Sequence, residues 1–355
     1  MLYYIVLFSM ILNCFLLLLS PIYNHKSRVL HWYYTKIFKK ITSASNNNNK
    51  YLSFINWLVP IFYCGLIILL GALYYIKIAT EKQFTKTLIN ISKFENIILI
   101  PTLLILNLGL VVICHYKSYK FNKKFIKTYP FDNILYFENT LCRTCNKNKL
   151  ARSKHCSKCN TCIPGEDHHC IWLNCCISDS NYKYFDWLLL SNLFGLIYAS
   201  IRSGLIMLSV NKKFILKFKD VKEPELLLKQ FKFFKKNILT IFILTFCFSL
   251  VLTWFIYTQV ELISDGMTCN ESDKWFIIHS LINEKIVYKI NNKMYILADD
   301  DSGSKTRFNS INFYDKRVFI FENITENNLI KSAYEIDNIY DFHSFAKNLR
   351  QRWNW

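Results

Sequence analysis

Five apolar blocks, at 2–20, 52–76, 96–116, 184–210 and 237–260, constrain this chain more than any other feature. Each is long enough and poor enough in charge to cross a hydrocarbon core of about 30 Å, which takes ~20 helical residues. Backbone N–H and C=O groups in lipid must be satisfied internally, so blocks of this kind cross as helices. The sequence therefore predicts an all-α integral membrane protein, a bundle of four to five transmembrane helices. The first block sets the range: Met1-Leu2-Tyr3-Tyr4 lacks the basic start of a signal peptide, so residues 1–22 read as an extra uncleaved anchor. Asp186 and Arg202 are the charges inside the fourth block, which predicts either a shift in depth or a turn of both toward a polar interior.

Charge sets the expected orientation. The chain carries 44 Lys+Arg against 25 Asp+Glu, a net charge of +19, spread over the loops instead of one patch, which argues against nucleic acid as a partner. Residues 22–50 hold six basic and no acidic residues, and 117–183 hold twelve basic against five acidic. The positive-inside rule then places both in the cytosol. The exception is 211–236, with nine Lys against three acids, which alternation puts in the lumen. An amphipathic interfacial helix would let those lysines snorkel. The expected organisation is an anchor at 1–22, two helices with a short lumenal loop at 52–116, a cysteine-rich cytosolic domain at 117–183, two helices with a lumenal loop at 184–261, and a cytosolic tail at 262–355.

Eight of the thirteen cysteines fall within 142–176, outside the apolar blocks. They read Cys142-x2-Cys145-x9-His155-Cys156-x2-Cys159-x2-Cys162-x4-Asp167-His168-His169-Cys170, then Cys175-Cys176. A Cys-x2-Cys turn grips one ion, and tetrahedral zinc takes four thiolate or imidazole ligands. Eleven candidate ligands in 35 residues point to zinc, and the segment has too little apolar content to fold without it. Two closed sites use eight ligands and leave three over, so something here is chemical. Asp167-His168-x-Cys170 offers a thiol, a base and a carboxylate to orient the base, the makings of an activated nucleophile.

At these residues the chain resembles the DHHC-type protein S-acyltransferases, the palmitoyltransferases. The likeness continues through Trp172, Asn174 and Cys176 to Asn181-x3-Phe185, and Thr268-Cys269-Asn270-Glu271 is similar to the family's Thr-Thr-x-Glu motif, with Cys269 in place of the second Thr. Asn348 and Trp353 fall in a region similar to its C-terminal element. The resemblance implies two structural Zn2+ ions, one on Cys142, Cys145, His155 and Cys162, the other on Cys156, Cys159, His169 and Cys176. It implies Cys170 as nucleophile, His168 as base and Asp167 as its orienting partner. It also implies palmitoyl-CoA, or another long-chain acyl-CoA, as donor, and membrane-associated proteins with a free cysteine as acceptors. The setting would be Golgi or ER endomembranes with the catalytic loop in the cytosol. The chain departs from the pattern at Leu150, Ile171, Cys175 and Ser178; Cys175 reads as a bystander beside the ligand Cys176. Lys117, Lys120, Lys123, Lys124, Arg143 and Arg152 are cations that could meet CoA phosphates or serve as topology signals. A membrane-anchored zinc ubiquitin ligase and a catalytically silent scaffold are the rival readings, and a thioester on Cys170 separates them from a transferase.

Overall fold

The computed structural model describes residues 27–38, 55–74, 94–123, 126–217, 224–291, 293–299, 306–312, 315, 317–322 and 324–353, with scattered positions before 21. The expected anchor at 1–22 lies largely outside the described residues, as does the 77–93 part of the loop expected to be lumenal. The helices are α1 (Arg28–Tyr33), α2 (Ile55–Tyr74), α3 (Ile100–Lys117), α4 (Tyr182–Lys217), α5 (Pro224–Ser264), α6 (Cys269–Asn283) and α7 (Phe345–Trp353). Among the described residues three stretches are long and apolar enough to cross a membrane: Glu95–Lys117, Tyr182–Ser209 and Lys235–Ser264. They fall on the third, fourth and fifth apolar blocks, and the second block contains a shorter apolar helix, Asn56–Ala72.

The chain divides into two compact units. The first comprises Met1–His115, Ile171–Asn174 and Tyr184–Tyr257. Its helices are joined by polar bonds, the usual glue where lipid removes the hydrophobic drive for association. Ser191 donates to Asn107 Oδ1 (3.0 Å), tying α4 to α3, and Tyr63 donates to Asn192 Oδ1 (3.0 Å), tying α2 to α4. Of the two charges inside the fourth block, Arg202 is answered by Glu95, to whose Oε2 it donates at 2.8 Å. The lysine-rich 211–236 segment is mostly helical: α4 continues to Lys217, and α5 begins at Pro224, whose fixed φ and missing N–H suit a first helical position.

The second unit comprises Tyr116–Cys170, Cys175–Lys183 and Thr258–Trp355. Here the all-α expectation is corrected. Three two-stranded hairpins, β1 (Leu141–Cys142) with β2 (Lys147–Asn148), β3 (Lys154–Cys156) with β4 (Thr161–Ile163) and β5 (His168–Cys170) with β6 (Cys175–Ile177), build the cysteine-rich segment. The tail adds an antiparallel sheet of β7 (Val287–Ile290), β8 (Lys293–Asp299), β9 (Thr306–Ser310) and β10 (Val318–Phe321), in the order β10-β9-β8-β7. The sheet forms because alternate side chains bury: Ile290, Tyr295 and Phe308 make one core with Phe319 and Phe321. Asn291, at φ 50°, supplies the left-handed residue that a tight hairpin between β7 and β8 requires. A second core gathers Trp275, Ile278 and Ile282, spaced for one helical face of α6, with Val287, Ile311, Ile330 and Ile336.

Candidate active site and metal knuckles

Each hairpin of the cysteine-rich segment turns on an asparagine in the left-handed region, Asn146 (φ 51°), Asn160 (φ 51°) and Asn174 (φ 49°). Asn tolerates that conformation better than other residues with a Cβ, and its place after a Cys-x2-Cys pair or before Cys175-Cys176 is a signal the cysteine spacing alone did not bring out. The strands between these turns have a side-chain period of two, and from that period the interleaving of the two clusters follows. His155 and Cys156 are neighbours on β3, so they leave on opposite faces: His155 joins Cys142, Cys145 and Cys162, and Cys156 joins Cys159, His169 and Cys176. Strand pairing sets His155 opposite Cys162 and His169 opposite Cys176, so each histidine meets a thiol of its own cluster across a hairpin.

The ligand atoms of each cluster lie within 4.8 Å of one another. With Zn–S near 2.3 Å and Zn–N near 2.0–2.1 Å, a regular tetrahedron has S···S edges of about 3.8 Å and S···N edges of about 3.6 Å. In the first cluster His155 Nδ1 lies 3.6, 3.2 and 3.9 Å from the sulfurs of Cys142, Cys145 and Cys162, and Cys162 lies 3.7 Å from Cys145. In the second, His169 Nδ1 lies 3.6, 3.5 and 3.6 Å from Cys156, Cys159 and Cys176, and Cys159 lies 3.5 Å from Cys176. Three sulfurs and one imidazole nitrogen at these edges fit a tetrahedral ion in both places.

The same period sorts the Asp167–Cys170 tetrapeptide. His169 faces its cluster, so His168 and Cys170 share the other face of β5. His168 Nδ1 is 2.7 Å from Asp167 Oδ2, and the His168 side chain is also hydrogen-bonded to Cys170. Burial alone would lower the imidazole pKa, but the bonds to Asp167 and Cys170 overcome it and raise it to about 10. For Asp167 burial pushes upward, while the His168 bond and charge, the Arg352 charge and the Cys269 backbone bond bring it down to about 2. The buried carboxylate thus favours the imidazolium form, the form His168 takes on accepting a proton from a neighbouring thiol. Its neighbour Glu166 behaves oppositely: burial raises it to about 7, against the pull of Lys154.

The second oxygen of Asp167 accepts from the backbone N–H of Cys269 at 2.6 Å, 102 residues away. Cys269 is the first residue of α6, so the carboxylate satisfies one of the donors a helix leaves open at its N-terminus. Thr268 caps the same helix in a capping box with Glu271: the Glu271 N–H donates to Thr268 Oγ1 (3.1 Å), and the Thr268 N–H donates to Glu271 Oε2 (2.9 Å). Glu271 is clamped in turn by Arg152, which donates from Nε to Oε1 (2.7 Å) and from Nη2 to Oε2 (2.5 Å). Arg152 also donates to the Gly266 carbonyl (3.0 Å) and packs against the rings of Tyr129 and Tyr340, 5.0 and 4.6 Å from their centroids. It is fully engaged and buried, which removes it from the cations open to CoA phosphates. Its φ of 57° is one that a non-glycine residue keeps only when its contacts over-determine it. Replacing the second Thr of the motif by Cys269 leaves the backbone donor to Asp167 intact, because that donor is not a side chain.

Cys175 is fully buried, belongs to neither cluster and lies directly opposite Cys170 in the β5–β6 register. The turn Ile171–Asn174 between these strands groups with the helical unit, where His115 Nδ1 meets the Leu173 carbonyl at 2.8 Å and Trp172 stacks edge-on with Tyr63 (6.2 Å).

A helical membrane protein whose cysteine-rich segment makes two four-ligand knuckles and brings a thiol, an imidazole and a carboxylate together has the parts for thiol-based group transfer. A sequence model of the family described as DHHC palmitoyltransferase matches residues 135–275. The palmitoyltransferase SWF1 of Candida glabrata is 34% identical over 355 residues, 99% of each chain. That of Saccharomyces cerevisiae is 29% identical over 350 residues, 94% of each chain, and that of Kluyveromyces lactis is 32% identical over 351, 95% of this chain and 94% of the relative. The chain belongs to the DHHC palmitoyltransferase family, and its activity is protein S-acyl transfer.

Proposed function

We propose that Cys170 is the nucleophile of this transferase, His168 its base and Asp167 the group that orients the base. The observation that carries the reading is the strand alternation of β5, which gives His168 and Cys170 one face while Asp167 holds His168 at Nδ1. The donor is a long-chain acyl-CoA. The Cys170 sulfur attacks the thioester carbonyl, the bond from that carbon to the CoA sulfur breaks, and His168 carries the thiol proton to the leaving sulfur. In the second step the thiol of a membrane-associated protein attacks the acyl-Cys170 carbonyl and the Cys170 sulfur leaves. Asp167 keeps the imidazole in register through both steps.

Two zinc ions, on Cys142, Cys145, His155 and Cys162 and on Cys156, Cys159, His169 and Cys176, would supply the folding energy of the segment and no chemistry. Cys176, and not Cys175, is the ligand in this reading. The three candidate spans together with the apolar helix α2 make four crossings, the block at 2–20 being a fifth if it crosses. The loop acts on the cytosolic face of an ER or Golgi membrane, where the acyl chain stays in hydrocarbon and each buried CH2 avoids about 0.8 kcal/mol of exposure to water.

The test is acyl loading. Purified wild-type protein in lipid should take a hydroxylamine-sensitive label from acyl-CoA, and Cys170→Ser should take none while keeping two zincs per chain. His168→Ala should keep both zincs and load ~10²–10⁴-fold more slowly. A Cys170→Ser protein that still accepts label, or that loses a zinc, removes Cys170 from the role.

A further inference from the structure

The cysteine-rich segment holds eight thiols, and the two four-ligand clusters engage six of them. The remaining two, Cys170 and Cys175, are opposite one another in the β5–β6 hairpin. Residues directly opposed in an antiparallel pair have Cα atoms about 4.5 or 5.5 Å apart according to the kind of pair, and their side chains leave on the same face. A disulfide spans Cα separations of about 4.4–6.8 Å, so either kind of pair lies within reach of one. The second cluster holds the opposite face, through the adjacent pair His169 and Cys176. Both thiols are buried.

From this geometry we infer that Cys175 is a resolving thiol for Cys170, making the pair a reversible redox site that shields the acyl-carrying cysteine from over-oxidation. This inference rests on the reading of Cys170 as the nucleophile. The oxidant is a hydroperoxide. The Cys170 sulfur attacks the distal peroxide oxygen, the O–O bond breaks, and Cys170 becomes a sulfenic acid with release of water or an alcohol. The Cys175 sulfur then attacks the Cys170 sulfur, a second water leaves with the sulfenic oxygen and the two thiol protons are accounted for, giving the disulfide. Two electrons pass from the thiol pair to one peroxide. A cellular thiol restores the pair by exchange through a mixed disulfide. No volume is needed beyond what the two side chains occupy, whereas an acyl chain on fully buried Cys175 would need new space. A disulfide also removes the nucleophile, so acyl transfer stops while the pair is oxidised.

The experiment uses the full-length protein in lipid nanodiscs, treated with hydrogen peroxide and then alkylated without reductant. Chymotryptic cleavage after Trp172 separates the two cysteines, so a Cys170–Cys175 bond appears as a linked pair of peptides that dithiothreitol dissolves. Acyl loading should fall as the linked pair accumulates and return with dithiothreitol, with zinc retained throughout. Cys175→Ser should load acyl groups at the wild-type rate before oxidation, then lose activity to peroxide without recovery, its Cys170 carrying sulfinic acid. Absence of the linked pair, a bond between Cys175 and Cys176 instead, or equal recovery of wild type and Cys175→Ser would overturn the inference. If Cys170→Ser still accepts acyl label, the nucleophile assignment fails whatever the peptides show. If wild type loads acyl on Cys170 but never forms the linked pair, only the redox inference fails.

Discussion

Arg152 and Glu271 show how much of this site is decided by residues that perform no chemistry. Their side chains are 6% and 1% exposed, and together they fix the N-terminus of α6, whose first N–H holds Asp167. Removing one partner of such a pair leaves an uncompensated buried charge, a loss of ~3–5 kcal/mol, whereas replacing both with apolar or neutral groups of similar volume costs far less. Arg152→Ala should therefore lower the melting temperature of the detergent-solubilised protein sharply and slow acyl loading. Arg152→Met combined with Glu271→Gln should recover most of the stability. Equal melting of Arg152→Ala and wild type would show that α6 is held by other contacts. Arg352 acts at longer range: its guanidinium stacks on Tyr182 at 4.0 Å, donates to Gln259 at 2.7 Å and adds positive potential that favours ionised Asp167.

With zinc bound as proposed, the hairpins stand or fall with their clusters. They are two or three residues per strand, too short to persist alone, and the core between them is four buried residues, three of them cysteines. A strong chelator should strip the metal and make residues 140–180 cleavable by protease, while far-UV circular dichroism keeps most of its helical signal because the spans satisfy their own backbone in lipid. Retention of the hairpins without metal would refute zinc as their folding energy. The paired cysteines were legible because Cys-x2-Cys spacing maps onto a single turn, and the spans because a bilayer leaves one option for twenty apolar residues. The β7–β10 sheet was not: Lys289, Lys293, Arg307 and Asn309 alternate with its buried side chains in runs too short to stand out from a polar tail. The donor to Asp167 was invisible for a different reason. It is a backbone N–H, which every residue but proline carries, so no side-chain identity at position 269 announces it.

At the scale of the molecule, the lysine-rich connection between α4 and α5 is the place to test the orientation expected from charge. A glycosylation acceptor inserted between α4 and α5 should be glycosylated in microsomes, and one placed after α7 should not. The reverse pattern would require the cysteine-rich segment to face the lumen, where its thiols would be exposed to oxidation.

The bond between the Asp167 carboxylate and the Cys269 amide also has a consequence in time. A chain emerging from a ribosome displays Cys170 and both knuckles well before the start of α6 has been made. Through that interval the Asp167 carboxylate lacks the backbone donor that the start of α6 supplies. If Asp167 orients His168 as proposed, full competence for acyl transfer waits until the start of α6 has been made.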